Sequence, residues 1–281
     1  MVIAVRNGAP FIARQLEALA GQTYRHAWEV LVVDNGCTDG TLEIVEDRRD
    51  TLPSLTVVDA TGRRGLNYAR NRGAAAAAGD LLAFCDADDV VSPGWLEALA
   101  TAARHADLVA GTLDVEVLND GLARAWRPEG SMTGLHVKHD LLPHAPGGNC
   151  AIWKDVALAV GWDESFVFGS SDIEFSWRVQ RAGYTLALAE AATVHLRFRD
   201  NKRGLARQYF RYGLSDPQLY RRFRREGMAR SSVREAARTW WKVARSVGDL
   251  ASSEGRGRWL RLAARPFGRA VGSVRRRVLF L

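Results

Sequence analysis

Three apolar runs of strand length, each ending in an aspartate, recur between residues 30 and 86, and helix-like segments separate them. They are Val30-Leu31-Val32-Val33-Asp34, Leu55-Thr56-Val57-Val58-Asp59 and Leu81-Leu82-Ala83-Phe84-Cys85-Asp86, the last continuing as Ala87-Asp88-Asp89. Val2 to Val5 reads as an opening strand. Pro10 to Ala20 carries Phe11, Ile12, Leu16 and Leu19 at helical spacing, and Thr38 to Val45 opens on the capping residues Thr38 and Asp39. Leu66 to Ala78 is alanine-rich up to the punctuating Gly79. The resulting β-α-β-α-β-α-β order predicts an α/β fold, a Rossmann-like, mostly parallel sheet flanked by helices. In such sheets ligands bind beyond the carboxyl ends of the strands, where Asp34, Asp59 and Asp86 all fall.

An acidic cluster directly after a buried strand needs a cation or hydrogen-bond donors to compensate it. A divalent metal holding a phosphorylated substrate supplies that compensation, because Mg²⁺ and Mn²⁺ favour hard oxygen ligands. For Asp59 alone, a solvated turn residue is the plainer reading. The turn after the first strand, Arg6-Asn7-Gly8-Ala9-Pro10, lacks the Gly-x-Gly-x-x-Gly of dinucleotide-binding folds. No phosphate-binding Gly-Lys-Ser/Thr loop occurs either.

Longer blocks carry a family resemblance. Val32-Val33-Asp34-Asn35-Gly36-Cys37-Thr38-Asp39-Gly40-Thr41, Ala69-Arg70-Asn71-Arg72-Gly73 and Cys85-Asp86-Ala87-Asp88-Asp89 resemble successive signatures of the family 2 inverting glycosyltransferases. Gly147-Gly148-Asn149-Cys150-Ala151-Ile152, Val160-Gly161-Trp162-Asp163-Glu164-Ser165-Phe166 and Ser171-Asp172-Ile173-Glu174-Phe175 are similar to the acceptor half of the same enzymes. The resemblance runs to about His195 and implies a GT-A fold with a nucleotide-sugar donor. It assigns Asp34 to the base or ribose, Arg70 to the nucleotide, and Asp86 to the ribose and the metal shell. Asp88 would coordinate Mn²⁺ or Mg²⁺ directly, and His195 would complete that site. Arg6 stands where many relatives have a tyrosine, and its planar guanidinium suits stacking on a base. Gly148, Asn149 and Trp162 fall on the acceptor side. Asp172 matches the base that takes a proton from the acceptor hydroxyl; the preceding Ser171 replaces a usual glutamate. A nucleotidyltransferase would need a glycine-rich basic loop after the first strand, and a non-catalytic subunit would not need the intact Asp86, Asp88, Asp172 and His195.

Charge divides the chain. Residues 1–200 hold 18 Lys+Arg against 27 Asp+Glu, a net of −9, whereas residues 201–281 hold 21 against 5, a net of +16. This break predicts a catalytic domain over 1–200 and a basic helical extension over 201–281. In the extension Val233, Ala236, Ala237, Trp240, Trp241, Ala244 and Val247 share one helical face, with arginines largely off it. That pattern reads as a peripheral binder of an anionic membrane, or as a face packed on the catalytic domain with its arginines in water. Charge alone, without a binding motif, does not indicate nucleic acid. Three scattered cysteines and no apolar run of spanning length place the expected enzyme in the cytoplasm, at the inner membrane face. Met1 lies on the first strand itself, an abrupt start that predicts a few missing residues. The expected role is sugar transfer to a glycan or lipid-linked acceptor in cell-surface polysaccharide synthesis.

Overall fold

The structure is a computed structural model that describes residues 1–127 and 130–281. Its strands are β1 (Val2–Val5), β2 (Val30–Asp34), β3 (Leu55–Asp59), β4 (Leu81–Cys85), β5 (Val90–Val91), β6 (Leu108–Asp114), β7 (His136–Lys138), β8 (Leu142–His144), β9 (Asn149–Trp153) and β10 (Leu186–His195). The helices are α1 (Ile12–Ala20), α2 (Thr41–Glu46), α3 (Leu66–Ala76), α4 (Trp95–Ala103), α5 (Gly121–Trp126), α6 (Lys154–Val160), α7 (Ser171–Arg181), α8 (Lys202–Phe223), α9 (Val233–Arg245) and α10 (Ser253–Arg276). Eight strands form one sheet in the order β3-β2-β1-β4-β9-β6-β10-β5, and β7 pairs with β8 separately.

The first four strands of that order pair in parallel, as the alternation with helices requires. Strand β9 runs antiparallel to both neighbours, β6 and β10 are parallel to each other, and β5 closes the edge antiparallel to β10. Side chains alternate between two cores with period two. Ile3, Val30, Val32, Ala83 and Ala151 face α1, α2 and α4, with Ile12, Leu16, Leu19, Trp95 and Leu99 in the same cluster. Val2, Leu31, Val33, Leu82, Phe84 and Ile152 face α3, α6 and α7. Leu16 is fully buried; shortening such a side chain to alanine costs about 2–5 kcal/mol.

One helix start differs from expectation. Helix α2 begins at Thr41 behind a left-handed Gly40, while Asp39 Oδ1 accepts from the Thr41 amide at 3.2 Å. Helix α4 begins at Trp95, past Ser92-Pro93, with Gly94 at its cap.

The basic extension is not a detached arm. Leu219, Phe223, Met228 and Phe280 join Phe166, Ile173 and Trp177 of the catalytic region in one buried cluster. Helices α8 and α10 cross where Gly213 meets Gly268, so closely that a side chain on either would collide with the other's backbone. Asp216, 1% exposed, locks this crossing by pairing with Arg265 (3.0 Å) and Arg269 (2.7 Å) of α10. On α9, Ala236 and Val243 are buried and the Trp240 ring meets Phe267 edge-on at 4.8 Å, whereas Val233 and Trp241 stay exposed. Among the described residues no helix is long and apolar enough to cross a membrane.

Candidate active site

The carboxyl ends of β2 and β4 bring the first candidates to one side of the sheet. Asp34 ends β2, is 8% exposed, and accepts from the amides of Gly36 (3.0 Å) and Cys37 (2.8 Å). Its neighbour Asn35 ties down the next loop, donating to the carbonyls of Ala60 and Arg63 and accepting from Gly65 N. Asp59 is the exposed last residue of β3 and accepts from the Thr61 amide. Arg6 is exposed at the end of β1.

Arg70, on the buried face of α3, pairs with Asp86 at 3.2 Å; its side chain is 5% exposed and that of Asp86 37%. The guanidinium lies 4.5 Å from the centre of the Trp162 ring, which itself stacks on Phe175 at 4.0 Å. This aromatic column fixes the position and plane of the cation. Gly147 and Gly148 pass directly beside the ion pair. A methyl on Gly147 would sit 2.7 Å from Arg70 Nη1, and one on Gly148 would sit 2.7 Å from Asp86 Cγ and nearer still to Oδ2. Burial pushes the Asp86 carboxyl up; Arg70 draws it down, while Asp88 and Asp172 both push it further up. The fields of Asp88 and Asp172 thus meet at Asp86.

The rest of the acidic loop is tied to the segment after β10. Asp88 pairs with Arg199 at 2.9 Å, and Arg197 Nε donates to the Asp88 carbonyl at 2.9 Å. Asp89 is 3% exposed and accepts from the Arg197 amide at 2.7 Å; burial, then Asp86 and Asp88, push its carboxyl well up. Gln15 clamps the loop from below, donating to the Asp86 carbonyl and accepting from Val91 N. His195 is set beside this loop because β10 pairs with β5, but its Nδ1 is 2.7 Å from Asp114 Oδ2. Burial would raise the Asp114 carboxyl; the His195 bond and the amides of Glu116 and Val117 outweigh it and lower it.

The expected Asp86, Asp88 and His195 metal set is therefore not gathered. Among the described residues no group of three or more His, Cys, Asp and Glu side chains is placed to hold a metal ion. The reason is that each donor has another partner: Arg70 for Asp86, Arg199 for Asp88, Asp114 for His195. In kind the set still fits Mn²⁺ or Mg²⁺, with two hard carboxylates and an imidazole whose tautomer is set through Nδ1.

On the acceptor side two expectations change. Asn149 is fully buried, donating to the carbonyls of Thr112 and Ala192 and accepting from Trp95 Nε1 at 2.7 Å. It braces β6, β9, β10 and α4 and is closed to an acceptor. Trp162 is 3% exposed beneath Arg70, whose guanidinium it supports. Gly148 lies beside Asp86, between the two halves.

Asp172 is the second residue of α7, half-buried, its Oδ1 2.9 Å from its neighbour Ile173 N. Glu174, two residues on, is fully buried in a paired contact with Arg178, which also donates to the carbonyls of Val160 and Gly161. That ion pair ties the Val160-Gly161 turn to α7 and is structural. Asp172 opens onto a cavity of about 400 Å³ whose far wall comes from the extension, through Tyr209, Tyr212 and Arg265. Gly169 permits this closure, since the Tyr212 ring rests where a side chain would stand, and Ser170 Oγ meets Ser215 Oγ at 2.9 Å. Sequence reasoning missed these residues, because no local pattern connects α8 with α7.

A family model described as Glycosyl transferase family 2 matches residues 1–161. Glycosyltransferase AglE of Haloferax volcanii is 32% identical over 194 residues, which cover 67% of this chain and 63% of AglE, so the match spans less than two thirds of that relative. Succinoglycan biosynthesis protein ExoM of Rhizobium meliloti is 27% identical over 226 residues, 75% of this chain and 71% of ExoM. Among solved structures, mannosyltransferase PcManGT from Pyrobaculum calidifontis, in complex with GDP-Man and Mn²⁺, superposes with a TM-score of 0.67 at 19% identity, covering 97% of this chain and 86% of that one. S. aureus TarS 1-349 in complex with UDP gives a TM-score of 0.54 at 17% identity over 100% and 92% of the two chains. The expected GT-A architecture stands, and at these identities the likeness is one of fold.

Proposed function

The chain belongs to the family 2 glycosyltransferases, and on that premise we propose that it transfers a sugar, with inversion, from a nucleotide-sugar donor to a hydroxyl of a glycan or lipid-linked acceptor. The observation that carries this reading is the Arg70–Asp86 pair, seated on Trp162 and skirted by Gly147-Gly148, within the electrostatic reach of Asp172. Asp34 and Arg6 lie at the ends of neighbouring strands and suit the base and ribose; Arg70, pre-oriented by its stack, suits a base carbonyl or phosphate oxygen. Asp172, bordering the cavity, suits the proton acceptor for the attacking hydroxyl. When bound, a divalent ion neutralises charge gathering on the departing diphosphate. Asp86, Asp88 and His195 Nε2 would hold it. The Mn²⁺ in the PcManGT complex supports this part of the reading.

Release of nucleoside diphosphate from a panel of UDP-, GDP- and TDP-sugars, with Mn²⁺ or Mg²⁺, tests the proposal. Release from at least one donor is expected, and silence across the panel would favour a non-catalytic binding role.

A role in surface polysaccharide synthesis at the inner membrane face extends the same proposal. Its membrane part is supported by exposed Val233, Trp241, Val247 and Val274 among the arginines of α9 and α10. The full chain should co-sediment with anionic vesicles, less so at high salt and less so with Trp241→Ala. Indifference to lipid charge would show that these arginines merely face water.

A further inference from the structure

The cavity in front of Asp172 has a composition that a neutral sugar does not need. Its described lining carries three cations, Arg127, Lys138 and Arg265, against a single carboxylate, Asp172. Two of the cations have protein partners. Arg265 is committed to Asp216, at 3.0 and 3.1 Å. Arg127 bonds Gln208 and lies 4.4 Å from the centre of the Phe198 ring. Lys138, on β7, differs. It is half-buried, and among the described residues no hydrogen bond or ion pair satisfies its ammonium. Burial lowers its pKa, Arg265 adds to that effect, and Asp216 and Asp172 oppose it from a distance. An ammonium held half out of water beside further cations is an unfavourable arrangement in the empty protein. An incoming oxyanion relieves it.

The remaining walls suit a sugar ring. Tyr209, Tyr212 and Phe198 are aromatic, and Leu113, Leu196 and Ile173 are apolar. A mostly apolar cleft with a few convergent polar groups is the usual form of a small-ligand site. Because Asp172 is placed to take a proton from a hydroxyl, the anion must be a second group on the acceptor and not the attacking atom.

Resting on the transferase reading above, we propose that the acceptor is an anionic sugar: a unit whose hydroxyl meets Asp172 while its own carboxylate or phosphate is held by Lys138. The carboxylate would come from a uronic acid and the phosphate from a phosphate-linked sugar. The two sources share a compact oxyanion one sugar ring away from the nucleophile.

The test is equilibrium binding, which needs no turnover. The full chain is titrated by calorimetry with methyl β-glucuronide, glucose 1-phosphate, neutral methyl β-glucoside and inorganic phosphate, for the wild type, Lys138→Met and Lys138→Arg. One or both anionic sugars should bind about tenfold or more tightly than the glucoside, the charge-assisted bond being the difference. That advantage should vanish in Lys138→Met, whose apolar stem is of similar length, and return in Lys138→Arg. Preference between the glucuronide and the phosphate tells the two sources apart. Equal binding of the neutral glucoside, an unchanged preference in Lys138→Met, or inorganic phosphate binding as tightly as either sugar would each overturn the proposal. Diphosphate release from a sugar nucleotide is measured in parallel without acceptor. A failure there strikes the transferase reading, whereas a failure of the titrations strikes only the anionic acceptor.

Discussion

Gly148→Ala is the sharpest perturbation of the donor site, because it adds one methyl group at a place where the backbone touches a carboxylate. The new Cβ would lie 2.7 Å from Asp86 Cγ, with Oδ2 closer still. Ordinary carbon contacts fall at about 3.5–4.0 Å, so Asp86 or the Gly147-Gly148 segment must move by most of an ångström. Gly147 has little room to yield toward α3, since a Cβ there would already lie 2.7 Å from Arg70 Nη1. The carboxylate must therefore swing away and lengthen a 3.2 Å bond to Arg70. Crowding of this kind costs about 1–3 kcal/mol. The lost charge-assisted bond contributes about 1 kcal/mol, discounted because the Asp86 side chain is 37% exposed. Together they predict a lower melting temperature and at least a tenfold loss in nucleoside diphosphate affinity, measured by thermal unfolding and calorimetry. Gly94→Ala serves as control, because nothing lies within 4 Å of a Cβ there and its φ is −92°. A double-mutant cycle with Asp86→Ala isolates the clash: removing the carboxylate should recover most of the stability lost to the methyl while leaving binding poor. Wild-type stability and affinity in Gly148→Ala, or strictly additive effects in the cycle, would refute the argument from crowding.

Three further outcomes are expected. Asp172→Asn keeps size and the contact with Ile173 N but cannot take a proton, so turnover should drop about 10²–10⁴-fold while donor binding survives; near-normal turnover would remove Asp172 as the base. Asp88→Asn should weaken diphosphate binding in Mn²⁺ and leave metal-free binding little changed, and equal loss under both conditions would sink the ligand assignment. His139 is half-buried against Phe280, its buried Nε2 has no partner among the described residues, and its pKa is lowered by burial to about 4. Its ordinary value is about 6.5, so between those limits the unfolded chain binds the extra proton. Stability is present above about pH 6.5 and falls as pH drops toward 4. His139→Asn, which tolerates the φ of +51° there, should flatten that fall in a series of denaturant midpoints, and an identical pH slope in both proteins would contradict the assignment.

Local spacing was enough to place the first four strands, and the period is written in the residues themselves: Val30 and Val32 on one side, Leu31 and Val33 on the other. Strand ends followed, and with them the positions of Asp34 and Asp86 on one side of the sheet, since parallel β-α units bring like ends together. The resemblance supplied Arg70 and Asp172, but not their surroundings. Burial of Asn149 depends on Thr112 and Ala192, and the place of Trp162 depends on Arg70 and Phe175, all distant in the chain. Whether such residues face a ligand or a neighbour is settled by which elements pack, and no local pattern encodes that. The extension shows the same limit from the other direction. A charge break at Asp200 suggested a separate segment, and an apolar stripe suits a membrane or a protein core equally well, since both withdraw it from water. Only the meeting of Gly213 with Gly268, and of Tyr212 with Gly169, set that segment as the wall of the cavity in front of Asp172. Those contacts join residues tens of positions apart whose glycines leave no mark in hydrophobic periodicity.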